Sequence, residues 1–196
     1  IEMSPHFEKL KMKDWNIKRG PAGNIGGSDL VFFSSREELR SKFLSKGVNL
    51  KPAMRNAKLD SFVVGNGDAE FLDISLNSEN LIEEIVDEYM ILPARNGRQQ
   101  RQTKSKEQWL KILERESRGK FGANSVLIPR AIRRIGRIYL SETEIFVSTN
   151  FVVCTLDSYT EALLLSTWMS TIFYQLICEV SSKDQEGMRK MEVEDI

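Results

Sequence analysis

The chain has 196 residues, 41% of them apolar, with three Trp and ten Phe, and its 28 Lys+Arg balance 28 Asp+Glu. That length and apolar content suit one sizeable domain and argue against a disordered chain. A single histidine, His6, and two cysteines without CxxC spacing, Cys154 and Cys178, leave no basis for a Cys/His metal cluster, a disulfide framework or a His-centred triad.

Residues 15–19 alternate like a strand and run into a small-residue loop, Gly20-Pro21-Ala22-Gly23-Asn24-Ile25-Gly26-Gly27; residues 30–33 read as a second short strand. Residues 35–46 predict a helix. Ser34 or Ser35 is its cap, Glu37 and Glu38 fill its first turn, Leu39, Phe43 and Leu44 form one face, and Gly47 stops it. Residues 48–54 are extended around Pro52. Two apolar runs, 61–64 and 70–74, flank Gly65-Asn66-Gly67-Asp68, which is a turn or hairpin signal. Residues 80–90 predict a helix, with Leu81, Ile82, Ile85, Val86 and Tyr89 on one stripe and Ser78 as cap. Residues 94–106 have no apolar period and predict a loop, and residues 107–115 a short helix around Trp109. Residues 126–129, 137–140 and 145–153 read as strands. Residues 159–180 predict one long apolar helix packed through Leu163, Leu164, Trp168 and Ile172. A polar loop at 181–187 and a final strand or turn at 188–196 follow. The apolar run within the long helix is broken by Ser, Thr and Gln, which suits a buried helix and not a membrane span. Trp109, Trp168 and the Phe residues sit at core spacing and read as packing, not as base-stacking platforms.

Charge is sorted along the chain. Residues 66–94 hold eight acidic groups and no basic one, whereas residues 95–137 hold thirteen Lys/Arg and three Asp/Glu. Such segregation in a neutral protein predicts one face for a polyanion. The stretch Arg95-Asn96-Gly97-Arg98-Gln99-Gln100-Arg101-Gln102-Thr103-Lys104 mixes guanidiniums with amides. Arg pairs two-pronged with guanine, and Gln or Asn with adenine, so Arg95, Arg98, Gln99, Gln100, Arg101 and Gln102 are candidate base readers. Lys104, Arg130, Arg133, Arg134 and Arg137 are candidate phosphate contacts, with Lys18, Arg19, Asn24, Lys51 and Arg55 from the first part of the chain. The loop at 20–27 is no P-loop, because GxxxxGK[ST] is absent and a strand-like run follows; its small residues would let backbone N–H groups approach a DNA phosphate beside Lys18 and Arg19. Two other classes stay open. Asp68, Glu70 and Asp73 with Lys51 or Lys58 could form a metal-dependent nuclease site, and the cationic loop could dock on an acidic protein.

Four segments, in this order, resemble the C-terminal target-recognition region of adenine-specific, amino-methylating DNA methyltransferases of the TaqI-like kind, including fused restriction–modification enzymes. They are Trp15-Asn16-Ile17-Lys18-Arg19-Gly20-Pro21-Ala22-Gly23-Asn24 followed by Phe32-Phe33; Leu50-Lys51-Pro52-Ala53-Met54-Arg55; Leu127-Ile128-Pro129-Arg130 followed by Ser148-Thr149-Asn150-Phe151; and residues 163–175 followed by Gly187-Met188-Arg189-Lys190-Met191. Ala22 stands where the family commonly has threonine. The resemblance implies a domain that selects a duplex DNA sequence while a separate N-terminal domain binds S-adenosylmethionine and transfers methyl. Neither the family's Asn-Pro-Pro-aromatic motif nor its cofactor glycine motif occurs in these residues, so the chain by itself is expected to be inert, with no catalytic, metal or cofactor residues. The target adenine would be flipped into the other domain. The expectation is therefore one target-recognition domain over residues 1–196, a piece of a larger cytoplasmic protein. Its fold is expected to be α+β, with a mixed or antiparallel sheet of short strands, a long buried C-terminal helix and a basic DNA-facing cleft.

Overall fold

The computed structural model describes residues 16–20, 28–57, 59, 61–92, 104–117, 120–132, 137–181, 183–185 and 188–190. The fold is α+β. The strands are β1 (Asn16–Arg19), β2 (Leu50–Met54), β3 (Val63–Val64), β4 (Ala69–Leu72), β5 (Lys120–Phe121), β6 (Ser125–Pro129), β7 (Ala131–Ile132), β8 (Tyr139–Ser141), β9 (Ile145–Val147), β10 (Phe151–Thr155), β11 (Lys183–Gln185) and β12 (Met188–Lys190). The helices are α1 (Ser28–Val31), α2 (Glu37–Leu44), α3 (Glu79–Ile91), α4 (Lys106–Ser117), α5 (Tyr159–Met169) and α6 (Ile172–Ser181).

Strands assemble in the orders β1-β10-β6-β8-β3, β4-β2-β9-β5 and β11-β12-β7. Side-chain alternation explains how the two larger sheets stack. In β2 and β9, Ala53 and Phe146 face a cluster with Phe32, Phe43, Ile85, Tyr89 and Trp109. Their neighbours Met54, Ile145 and Val147 face the other way, onto Leu127, Tyr139, Phe151 and Val153 of the five-stranded sheet. The opposite face of that sheet, Val126, Ile128, Val152 and Cys154, packs on Ala162, Met169 and Tyr174. The result is four layers: helices α1–α4, the four-stranded sheet, the five-stranded sheet, then α5 and α6. Because β6 is covered on both sides, all five of its residues are buried and its sequence shows no polar alternation.

Local signals hold where tertiary competition is weak. The Ser78 hydroxyl accepts from Leu81 N and starts α3, and Gly47, at φ 78°, ends the turn after α2. Several expectations are corrected. Residues 30–33 are not a strand: Leu30 and Val31 end α1, Phe32 is a turn and Phe33 opens a 3-10 helix; all four are buried, and a short apolar run carries no period that separates the states. Arg36, not a serine, occupies the N-cap of α2. Residues 61–74 form no hairpin: β3 pairs in parallel with β8, and β4 pairs antiparallel with β2 in the other sheet. Gly67 explains the split. At φ 69° it sits so close to β2 that a Cβ would lie 2.1 Å from the Ala53 carbonyl oxygen. Residues 145–153 are likewise two strands, separated by a turn at 148–150 that crosses from one sheet to the other.

The long C-terminal helix is also corrected. It breaks at Ser170 and Thr171 because hydroxyls bond back to main-chain carbonyls: Ser166 and Thr167 to Leu163 O at 3.0 and 2.7 Å, Ser170 to Ser166 O at 2.7 Å, and Thr171 to Trp168 O at 2.7 Å. Nor are its apolar residues buried as expected; Leu164, Ile172 and Phe173 are exposed, and Trp168 is partly so.

Cys154 lies in the core, where desolvation pushes its thiol pKa up to about 11. The raised value means that the neutral thiol is favoured in the folded state, so this stability is intact below the ordinary thiol pKa and is lost as pH rises through about 11. Alkylation at pH 8 is therefore expected to label Cys154 no faster than the protein unfolds. Rapid labelling of the folded chain, read by mass spectrometry, would contradict this.

Candidate nucleic-acid interface

The turn at residues 148–150 brings together the guanidiniums of Arg19 and Arg130 and the main chain of Arg55. It is built by the main chain first: Ser148 N donates to Met54 O at 2.9 Å, Phe151 N to Ser148 O at 3.2 Å, and Gly20 N to Phe151 O at 2.9 Å. Two side chains then fasten it to the end of β2. The Ser148 hydroxyl and the Asn150 amide both donate to Arg55 O, at 2.9 and 2.8 Å. The carbonyl of Thr149 is shared by two guanidiniums, accepting from Arg19 Nε at 3.5 Å and Arg130 Nη1 at 3.3 Å. Arg130 N also donates to Asn150 O at 2.8 Å. The Arg55 guanidinium lies 5.2 Å from the Phe32 ring centre, within cation–π range.

Sheet register extends the row. β10 pairs Phe151 with Pro129, and β6 pairs Leu127 with Tyr139, so residue 137 falls beside Pro129 at the same end of the sheet. There Arg137 Nη1 donates to Leu59 O at 3.0 Å. Lys18 is exposed on the edge strand β1, next to Arg19. Main-chain carbonyls thus orient the Arg19, Arg130 and Arg137 guanidiniums. An anion lying across the turn would therefore meet two or more positive groups already held in place.

The helical layer treats its cations differently. Arg40 pairs with Glu70 at 3.1 Å, Lys42 with Glu88, and Lys46 with Glu84. Lys106 reaches Asp87 at 2.8 Å and Glu83 at 2.9 Å. Its pKa is raised, first by the hydrogen bond to Asp87 and then by that to Glu83. Four carboxylates of α3, Glu83, Glu84, Asp87 and Glu88, are thus paired with Lys42, Lys46 and Lys106. A depression of about 410 Å³ between α3 and α4 is lined by Glu79, Glu107, Glu114 and Lys111, an unfavourable balance for phosphate.

Of the sequence candidates, the Arg19 and Arg130 guanidiniums come together, with Lys18 and Arg137 along the same end; Arg55 joins them through its main-chain carbonyl, its guanidinium lying on Phe32. Lys51 is exposed but lies four residues back on β2, roughly 13 Å along an extended strand. Lys104 sits over the Trp109 ring at 5.2 Å, on the helical layer. Asn24, Arg95, Arg98, Gln99, Gln100, Arg101, Gln102, Arg133 and Arg134 lie outside the described residues. The carboxylates considered for nuclease chemistry have separate structural tasks. Asp68 accepts from the Arg55 and Asn56 amides at 2.6 and 2.9 Å, Glu70 pairs with Arg40, and buried Asp73 accepts from Ser75 N at 3.0 Å. The organising role of residues 148–150 was missed from sequence. The available signal was a polar Ser-Thr-Asn triplet interrupting an apolar run.

The family model described as the specificity domain of restriction endonuclease BpuSI matches residues 18–196. The chain belongs to this family. The specificity domain is also similar to a solved structure, the type IIG restriction endonuclease BpuSI, at 32% sequence identity and a TM-score of 0.74. The match covers 93% of the present chain and 22% of that enzyme, so the specificity domain spans under a quarter of its length. No curated protein matches it. Among the described residues, no helix of the specificity domain is long and apolar enough to cross a membrane.

Proposed function

We propose that this specificity domain recognises a duplex DNA sequence for a cytoplasmic, S-adenosylmethionine-dependent, adenine-specific DNA methyltransferase or fused restriction–modification enzyme. The observation that carries the reading is the meeting of the Arg19 and Arg130 guanidiniums on the 148–150 turn, to which the main chain of Arg55 is also bonded, in a chain of this family. Those three, with Lys18, Arg137, Arg133 and Arg134, would hold phosphates and fix the register of the domain on the duplex. Residues 95–102 would read base edges. S-adenosylmethionine would be held by a catalytic domain of the parent polypeptide, and the chemistry, including any cleavage, would occur there.

The test is duplex binding by the 196-residue chain across salt concentrations, with competitor DNA. A polyphosphate partner gives a log–log slope of about −0.9 per phosphate contacted, which an acidic protein partner does not reproduce. Alanine at Arg98 or Gln100 is expected to reduce discrimination between sites by about 1–3 kcal/mol while leaving non-specific affinity nearly intact. Equal affinity of the unaltered chain for all competitor sequences would refute sequence selection.

A further inference from the structure

The outer helices α5 and α6 present an apolar face that the fold does not use. Leu164, Ile172 and Phe173 are 65%, 72% and 72% exposed, and Leu163, Trp168 and Leu176 are also exposed. The opposite side of α5, through Ala162, Ser166 and Met169, is the one turned to the five-stranded sheet. The Trp168 and Tyr174 rings, 5.2 Å apart, join the two helices. Residues 159–176 contain one charged residue, Glu161, whereas a solvated helical face is normally rich in charge. The exposed apolar area is on the order of 600 Å², at the upper end of what a monomer leaves uncovered.

We propose that this face docks against an apolar surface of another domain of the same polypeptide, the part of the parent enzyme outside the specificity domain. The inference rests on the functional reading above. Three observations select this occupant. In the similar enzyme, the region matched by this chain is 22% of the polypeptide, so most of that protein lies elsewhere and is available to cover the patch. A domain that selects a site for chemistry performed by another domain requires a fixed geometry between them, and apolar, nearly uncharged surfaces are characteristic of permanent interfaces. DNA is disfavoured as occupant, because residues 159–176 carry no cation and the guanidiniums gather at the strand ends around residues 148–150.

Side-chain footprinting and hydrogen exchange of the full-length encoded polypeptide, compared with the 196-residue chain, test this. Trp168, Phe173 and the α5–α6 amides are expected to be protected on the order of tenfold more in the full-length polypeptide, independently of concentration. The pair Leu164→Glu/Phe173→Glu should abolish that protection while leaving duplex binding by the 196-residue chain unchanged. Equal labelling in both proteins overturns the proposal. So does protection of the 196-residue chain that rises with concentration alongside a dimer in sedimentation, which would make a second copy the occupant. Loss of sequence-selective DNA binding with interdomain protection intact would instead overturn the functional reading and leave the docking in place.

Discussion

Replacing Gly20 with alanine is expected to destabilise the domain by about 2–4 kcal/mol, the range of substitutions that force backbone atoms apart. An added Cβ would stand 2.1 Å from Ser148 O, 2.8 Å from Ser148 C and 3.1 Å from Val147 O. All three are main-chain atoms, of the inter-sheet turn or of the end of β9 before it, so no side chain can rotate to make room. The Gly20 N bond to Phe151 O must lengthen, and the four-residue pairing of β1 with β10 must loosen at its end. In a chain of this size each kcal/mol moves Tm by about 2–4 °C, so a fall of roughly 5–15 °C is expected. Gly122→Ala is the control, since a Cβ there meets nothing within 4 Å. Thermal unfolding that places both variants at the unaltered Tm would show that the close approach has no energetic consequence. The same substitution should also weaken DNA binding, because it displaces Arg19 from the Thr149 carbonyl.

Substitution of Arg19 and Arg130 is expected to produce the largest loss of DNA affinity. If each contacts one phosphate, the Arg19→Ala/Arg130→Ala pair should flatten the salt slope by about 1.8. Affinity should fall by one to two orders of magnitude on all duplexes alike, if each contact contributes about 1 kcal/mol or slightly more. Arg130→Lys keeps the charge but not the planar fork that bonds Thr149 O, so it should recover part of the affinity and not all. Lys106→Ala is the matched control. Its ammonium is engaged by Asp87 and Glu83, and its removal should leave the salt slope unchanged. A slope unaltered in the double variant, with the fold verified by circular dichroism, would remove the 148–150 turn from the DNA interface.

The helices of the chain were largely legible because their signals are short-range. Ser78, the stripe Leu81–Ile82–Ile85–Val86–Tyr89 and the acidic opposite face act within four residues of one another, and α3 forms where they place it. The same logic failed at residues 159–180. There the apolar period predicted one helix, but local hydroxyl bonds to main-chain carbonyls won at Ser170 and Thr171. At residues 61–74 the hairpin alternative was not realised, because β3 and β4 pair in different sheets.

The sequence by itself determined the α+β class, the helix predicted over residues 80–90 and found as Glu79–Ile91, the family resemblance and the supply of cations from which an interface could be built. Only the tertiary structure decided which of those cations serve the fold. Lys42, Lys46 and Lys106 meet the carboxylates of α3, whereas Arg19 and Arg130 meet a carbonyl. The physical reason is reach. Helix caps and apolar stripes act across a single turn, but Arg19 and Thr149 are 130 residues apart, and Asn150 and Arg55 are 95 apart. Their partnership exists only once β1, β2, β6 and β10 have stacked and brought their ends to the same edge.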